Sequence, residues 1–159
     1  MKIDKVFENL ESSDKVPRLT LKFEPSTISR VGLKDAEKIA DFVRQTFDPG
    51  EMGLKEEMIL IPLDSLMRPI CWYRLATGGR DTVSVDANLI LMVCIAVGAD
   101  GLIIAHNHPD NVAIPSEEDI ESAHTLRRKA HYLGLRYVDD IIITREDYYS
   151  LAENDLIWE

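Results

Sequence analysis

This chain has little of several things that would mark other chemistries. It has two cysteines in 159 residues, Cys71 and Cys94, and no CxxC pair. Each sits in an apolar stretch, which reads as a buried free thiol and a reducing compartment rather than a disulfide or a thiolate metal site. The PCxxC element that zinc deaminases combine with HxE is missing, and so is the HExxH of zincins. Basic residues are scarce: 18 Lys and Arg stand against 28 Asp and Glu, a formal net charge of -10. That balance opposes nonspecific binding to nucleic-acid phosphates, which depends on cationic side chains displacing counterions. No apolar run approaches the roughly 20 residues that span a bilayer, the most apolar stretch being 89–97. The first residues are mixed and charged, without the apolar core of a signal peptide, so the expectation is a cytoplasmic protein that does not enter a membrane. No internal repeat or low-complexity tract interrupts the chain.

What is present is concentrated between His106 and Asp119. His106-Asn107-His108-Pro109 is followed by Pro115-Ser116-Glu117-Glu118-Asp119. Leu102-Ile103-Ile104-Ala105 reads as a buried strand, and residues on either side of Asn107 project from the same face of its extension, so His106 and His108 converge. Pro115-Ser116 opens a helical segment whose first turn holds Asp119, where backbone amides favour a negative charge. Two imidazole nitrogens and one carboxylate oxygen suit a borderline-soft divalent ion such as zinc, and three protein ligands leave a fourth position open. An open position points to catalysis, with the metal lowering the pKa of a water to roughly 7.

Such chemistry needs a proton carrier outside the ligand set. Glu56 and Glu57, which precede the strand-like Met58-Ile59-Leu60-Ile61-Pro62-Leu63, are both candidates, and strand alternation alone does not choose between them. Ser116 has two readings. Ser followed three residues later by an acid is a helix-capping pattern, and a hydroxyl at that place could also support a tetrahedral oxyanion. His124 and His131 do not join the metal spacing and read as surface histidines. Arg127, Arg128 and Lys129 form the one compact basic cluster, read as a solvated helix face.

The order Glu, HxHP, six residues, SxxD resembles the JAMM motif of the JAB/MPN metalloprotease fold, and the asparagine between the histidines with Pro-Ser before the acid resembles its bacterial RadC branch. The similarity covers 54–158: a Glu entering a strand that ends Leu63-Asp64, a Gly78-Gly79 turn followed by Thr82-Val83 and an Asp as in mobile-element versions, an apolar helix before Leu102, and a closing Tyr149-Ser150-Leu151-Ala152-Glu153. The resemblance implies His106, His108 and Asp119 as zinc ligands, Glu56 as acid/base, and Ser116 as a water-positioning or oxyanion-supporting group. Two departures stand out. Where the RadC pattern reads HNHPSG this chain has Asp110-Asn111, and Val138-Asp139-Asp140 puts an aspartate where the family commonly has histidine.

The length and the 45% hydrophobic content suit one well-cored domain, read as an N-terminal extension over 1–50 and a catalytic domain over 51–159. The chain up to about Val16 shows no clear periodicity. Arg18 to Phe23 alternates as a half-buried strand would, and Leu33, Ala36, Ile39, Ala40, Val43 and Phe47 recur at helical spacing before Asp48-Pro49-Gly50 stops the helix. A strand to Leu63, a turn at Asp64 and a strand over Ile70 to Leu75 form a hairpin. Asp86 caps a helix running to about Val97, whose nearly all-round apolar surface predicts burial on every side; Gly98 and Gly101 end it. A helix from Ser116 to Gly134, with Ile120, Ala123, Arg127, Ala130 and Leu133 on its inner edge, leads to a strand over Tyr137 to Thr144. Helices interleaved with strands predict an α/β layered domain with a mixed sheet, which the resemblance makes JAB/MPN-like, in the same layered class as cytidine deaminases. The leading functional expectation is a zinc hydrolase cleaving an amide or isopeptide bond in a protein or peptide. The alternatives are a DNA-processing or nuclease role, which the name of the RadC branch suggests and the charge disfavours, and a noncatalytic interaction module. The acids Glu146, Asp147, Glu153, Asp155 and Glu159, without a base among them, match a basic partner surface.

Overall fold

Runs of branched and apolar residues build the centre of a five-stranded sheet in the computed structural model, which describes residues 20–77 and 85–158. The strands are β1 (Glu57–Leu63), β2 (Tyr73–Thr77), β3 (Gly101–Asn107), β4 (Arg136–Ile143) and β5 (Tyr148–Ser150), in the order β2-β1-β3-β4-β5. The β3–β4 pair is parallel and the other pairs are antiparallel, so the sheet is mixed as expected. The helices are α1 (Ala36–Arg44), α2 (Ala87–Ala96) and α3 (Glu117–Tyr132).

Period-two alternation sorts the strand residues into two cores. Ile59, Ile61, Ile103, Ile141 and Ile143 face α1, where Ile39, Phe42 and Val43 cover them with Leu33 and Phe47. Leu60, Leu102, Ile104 and Ile142 face the other way, under Ile90, Leu91 and Cys94 of α2 and Ala123, Leu126 and Ala130 of α3. Helices on both faces of the sheet give the expected α/β layers. Where β3 and β4 begin side by side the backbones come so close that a Cβ on Gly101 would lie 2.8 Å from the Arg136 carbonyl oxygen. Any larger residue there would push apart the two strands that carry the site.

Local signals set the element ends. Asp35, Asp86 and Ser116 each accept a backbone N–H from the first turn of the helix they precede. Gly98 and Gly134 take the left-handed conformation, with φ +68 and +73, just beyond α2 and α3. At the hairpin, the Asp64 carboxylate accepts from the Leu66 and Arg68 N–H groups.

Four expectations need correction. Residues 20–23 form no strand, and Leu21 and Phe23 are exposed, because alternation supplies a face but no neighbouring strand to bond to. Residues 18 and 19 lie outside the described residues, as do the stretch up to Val16, Gly78-Gly79, Thr82-Val83 and Glu159. The second strand of the hairpin starts at Tyr73 rather than Ile70, whose N–H bonds back to the Pro62 carbonyl at the turn. The apolar helix α2 is covered on one side only; Met92 and Ile95 are 50% and 57% exposed, since a single sheet face gives a helix a single contact stripe. On α3 the inner edge uses Leu126, while Arg127 lies half-buried with its guanidinium 5.7 Å from the Trp158 ring centroid and Leu133, at the C-cap, is exposed. Cys94 is buried and Cys71 only partly so, and both thiols are free.

Candidate metal centre

Beyond the second core, the same sheet face turns polar at one end. His106 continues the row of Leu102 and Ile104 on β3, and Glu56 continues the row of Leu60 and Met58 on the approach to β1. Met58 pairs with His106 across the antiparallel β1–β3 ladder, which brings Glu56 towards His108. Glu56, His106, His108, Ser116, Asp119 and Asp140 line one cavity of about 990 Å³. Glu57 lies on the opposite face, fully covered, with its carboxylate 3.1 Å from Lys55 Nζ and 3.1 Å from Arg74 Nη1. The structure thus separates the two glutamates that the sequence left open, and it is Glu56 that faces the histidines.

The three proposed ligands meet. His106 Nε2 and His108 Nε2 are 3.1 Å apart, Asp119 Oδ1 is 3.4 Å from His106 Nε2, and Asp119 Oδ2 is 3.7 Å from His108 Nε2. Ligand atoms at tetrahedral angles, each about 2.0–2.1 Å from one zinc, would lie about 3.3 Å from each other, close to the 3.1 and 3.4 Å of the two nearest donor pairs. The backs of the rings also matter. His108 Nδ1 lies 2.8 Å from the Val112 carbonyl oxygen, which can only accept, so Nδ1 carries the proton and Nε2 is free to bind a metal.

Asp119 is held by the start of its own helix. Its Oδ2 accepts from the Ser116 N–H at 2.8 Å and from the Ser116 hydroxyl at 2.7 Å, while its N–H donates to Ser116 Oγ. This is a reciprocal capping box, so Ser116 is a helix cap whose hydroxyl also steadies the Asp119 carboxylate.

Electrostatics follow from the crowding. Burial works against a charged His106, but the Asp119 and Asp140 carboxylates facing it prevail and raise its pKa to about 10. Burial also pushes Asp119 up, yet His106 and the Ser116 hydrogen bonds hold it well below the usual carboxylate range. Glu56 is raised, chiefly by burial and also by Asp119, against the pull of the two histidines.

A family model described as RadC-like JAB domain matches residues 33–156. The chain belongs to that family. A UPF0758 protein of Aquifex aeolicus (strain VF5) is 30% identical over 129 residues, 81% of this chain and 54% of that protein. The chain therefore spans about half the length of that relative. Its layered mixed-sheet fold is consistent with a JAB/MPN-like domain.

Within this RadC-like domain, the Asp110-Asn111 departure does not break the loop. Asn111 takes φ 64, the left-handed conformation that asparagine tolerates better than other non-glycine residues, and its N–H reaches the His108 carbonyl oxygen. Two contributors escaped sequence reasoning. Asn107 points away from the histidines, accepts from the Glu57 N–H and donates to the Met52 and Lys55 carbonyls. The phase that pairs the histidines already turns Asn107 to the opposite face, a signal that was available. Asp140, the other departure, stands behind His106, and only the β3–β4 pairing reveals it. His124 and His131 lie outside the cluster: His124 is half-buried with Nε2 on the Leu156 carbonyl, and His131 is exposed.

Proposed function

We propose that this RadC-like domain is a zinc-dependent hydrolase that cleaves an amide or isopeptide bond in a protein or peptide. His106, His108 and Asp119 are the metal ligands of this reading and Glu56 its acid/base group. The observation that carries it is the convergence of two Nε2 atoms and one carboxylate on a point that Glu56 also faces across the cavity. When bound there, zinc would supply Lewis acidity, bringing a water towards a pKa of roughly 7 and polarising a carbonyl oxygen.

The chain's own groups divide the remaining work. Glu56 takes a proton from the attacking water as the new C–O bond forms, and returns it to the amide nitrogen as the C–N bond breaks. Burial suits it to both tasks, since a carboxyl with a raised pKa holds a proton more readily than an exposed one. Ser116 aims Asp119 through the cap, and in this reading its hydroxyl, on the cavity wall, turns from Asp119 towards an oxyanion. The acidic balance of the chain favours a basic protein surface over a nucleic acid as substrate. Among the described residues no helix is long and apolar enough to cross a membrane.

Zinc per chain, measured by elemental analysis after metal-replete purification, tests the reading. The parent should hold one equivalent, and His106→Ala and Asp119→Ala should lose most of it, because a three-ligand site deprived of one has little left to hold the ion. Equal zinc in parent and variants overturns the ligand assignment.

A further inference from the structure

We propose that Asp140 is a positioning residue for the metal centre, its carboxylate receiving the Nδ1–H of His106 and so aiming Nε2 at the point shared with His108 and Asp119. The inference rests on the reading of His106 as a metal ligand. Two atoms carry it. His106 Nδ1 and Asp140 Oδ1 are both shut off from solvent, neither has a hydrogen-bond partner, and they face each other at 3.8 Å. That is too long for a hydrogen bond, yet a closure of roughly 1 Å would bring it to an ordinary 2.7–3.2 Å contact. Leaving a complementary donor and acceptor apart in a buried site is costly, so the ring gains by settling back onto the carboxylate when Nε2 takes a metal.

The surroundings hold Asp140 ready for this. Its other oxygen, Oδ2, accepts from the buried Tyr137 hydroxyl at 2.8 Å, which leaves Oδ1 directed at the imidazole. The parallel ladder pairs His106 with Ile142 and Ile104 with Asp140, so backbone register fixes the carboxylate beside the ring. The other histidine is supported in the same sense by different means, with the Val112 carbonyl behind its Nδ1. Carboxylate support behind a ligating imidazole fixes its tautomer and strengthens it as a donor. The next acid, Asp139, is excluded from this role because its oxygens are engaged by Ser150 Oγ and the Ala152 and Asp140 N–H groups.

Zinc affinity from competition with a chelating dye, together with the NMR signal of the His106 Nδ1–H in the zinc-loaded protein, tests the assignment. Asp140→Leu is made in a Tyr137→Phe background, so that removing the carboxylate leaves no unpaired hydroxyl beneath it and the fold is kept. Relative to Tyr137→Phe alone, the double variant should bind zinc about 10- to 100-fold more weakly and lose the hydrogen-bonded Nδ1–H signal. Asp140→Asn, which retains an acceptor oxygen, should recover part of the affinity. A zinc-binding double variant with the affinity and Nδ1–H signal of Tyr137→Phe overturns the role of Asp140 while leaving the metal site standing. A parent that binds no zinc removes the metal reading itself, and this inference with it.

Discussion

The two faces of the sheet are built from the same kinds of strand residue, yet they treat charge in opposite ways. On the α1 face, Glu57 is closed in by Lys55 and Arg74, and Asn107 satisfies both its carbonyl oxygen and its amide. On the α2/α3 face, two imidazole nitrogens confront each other, and His106 Nδ1 and Asp140 Oδ1 have no hydrogen-bond partner. On the first face the carboxylate and the amide find their partners within the chain, although the Arg44 and Arg74 Nε atoms on that side have none. The other leaves a gap that suits a cation. Polarity alone therefore does not mark a site in this fold; unpartnered groups gathered on one cavity do.

Exchanging the roles of Glu56 and Glu57 is the most severe way to break this contrast. Glu56→Gln should keep zinc and fold while turnover on an amide or isopeptide substrate falls by two to four orders of magnitude, roughly what a lost general acid/base costs. Glu57→Gln should do the reverse, keeping turnover per folded molecule but lowering stability to urea by about 1–3 kcal/mol, since its two cationic partners are partly exposed and soften the loss. Swapped phenotypes would mean that the faces have been assigned the wrong way round.

Asp139 sharpens the comparison through pH. Burial, reinforced by Asp140, raises it from 3.8 to about 6 against the pull of its hydrogen bonds. The folded protein then binds this proton more tightly than the unfolded chain does, so the stability it contributes declines as pH rises through that window and is level above it. Asp139→Asn stays neutral throughout. Urea unfolding of parent and variant should therefore show a stability difference that shifts in the variant's favour by up to about 3 kcal/mol between pH 4 and 7. A difference independent of pH would show that Asp139 titrates as an ordinary surface acid.

The smallest effect on stability belongs to Ser116, where capping and chemistry separate. Ser116→Ala should cost roughly 0.5–2 kcal/mol of stability and most of the activity, whereas Ser116→Asp should stay nearly as stable as the parent and be poorly active. Parent-like turnover in a folded, zinc-loaded Ser116→Asp protein would leave Ser116 as a cap alone.

Local periodicity explains what the sequence made legible. The strand phase that turns His106 and His108 together, the cap at Ser116 and the helix start at Asp86 are decided within a few residues, and each is present in the fold. The choice of Glu56 over Glu57 came from resemblance, because the two sit side by side where β1 begins and its facing depends on pairing with β3, some fifty residues away. The false strand at 20–23 and the overestimated burial of α2 share one cause: a pattern states which face is apolar, not whether anything comes to cover it. Asp140 was legible only as a departure from a pattern. Its place behind His106 follows from the register of two parallel strands separated by all of α3.

Asn107 bears on more than the stability of its neighbours. Its bonds to Met52, Lys55 and Glu57 close a loop of some fifty residues onto the residue between the two histidines. A sheet can in principle slide one place along its ladder, and each such step reverses which side chains look inward. With one amide gripping the entry to β1 at three points, that slip would break every one of those bonds at once. Asn107 therefore acts as a phase lock: it keeps an acid of fixed identity, Glu56, opposite the imidazoles, and keeps its neighbour Glu57 on the far side.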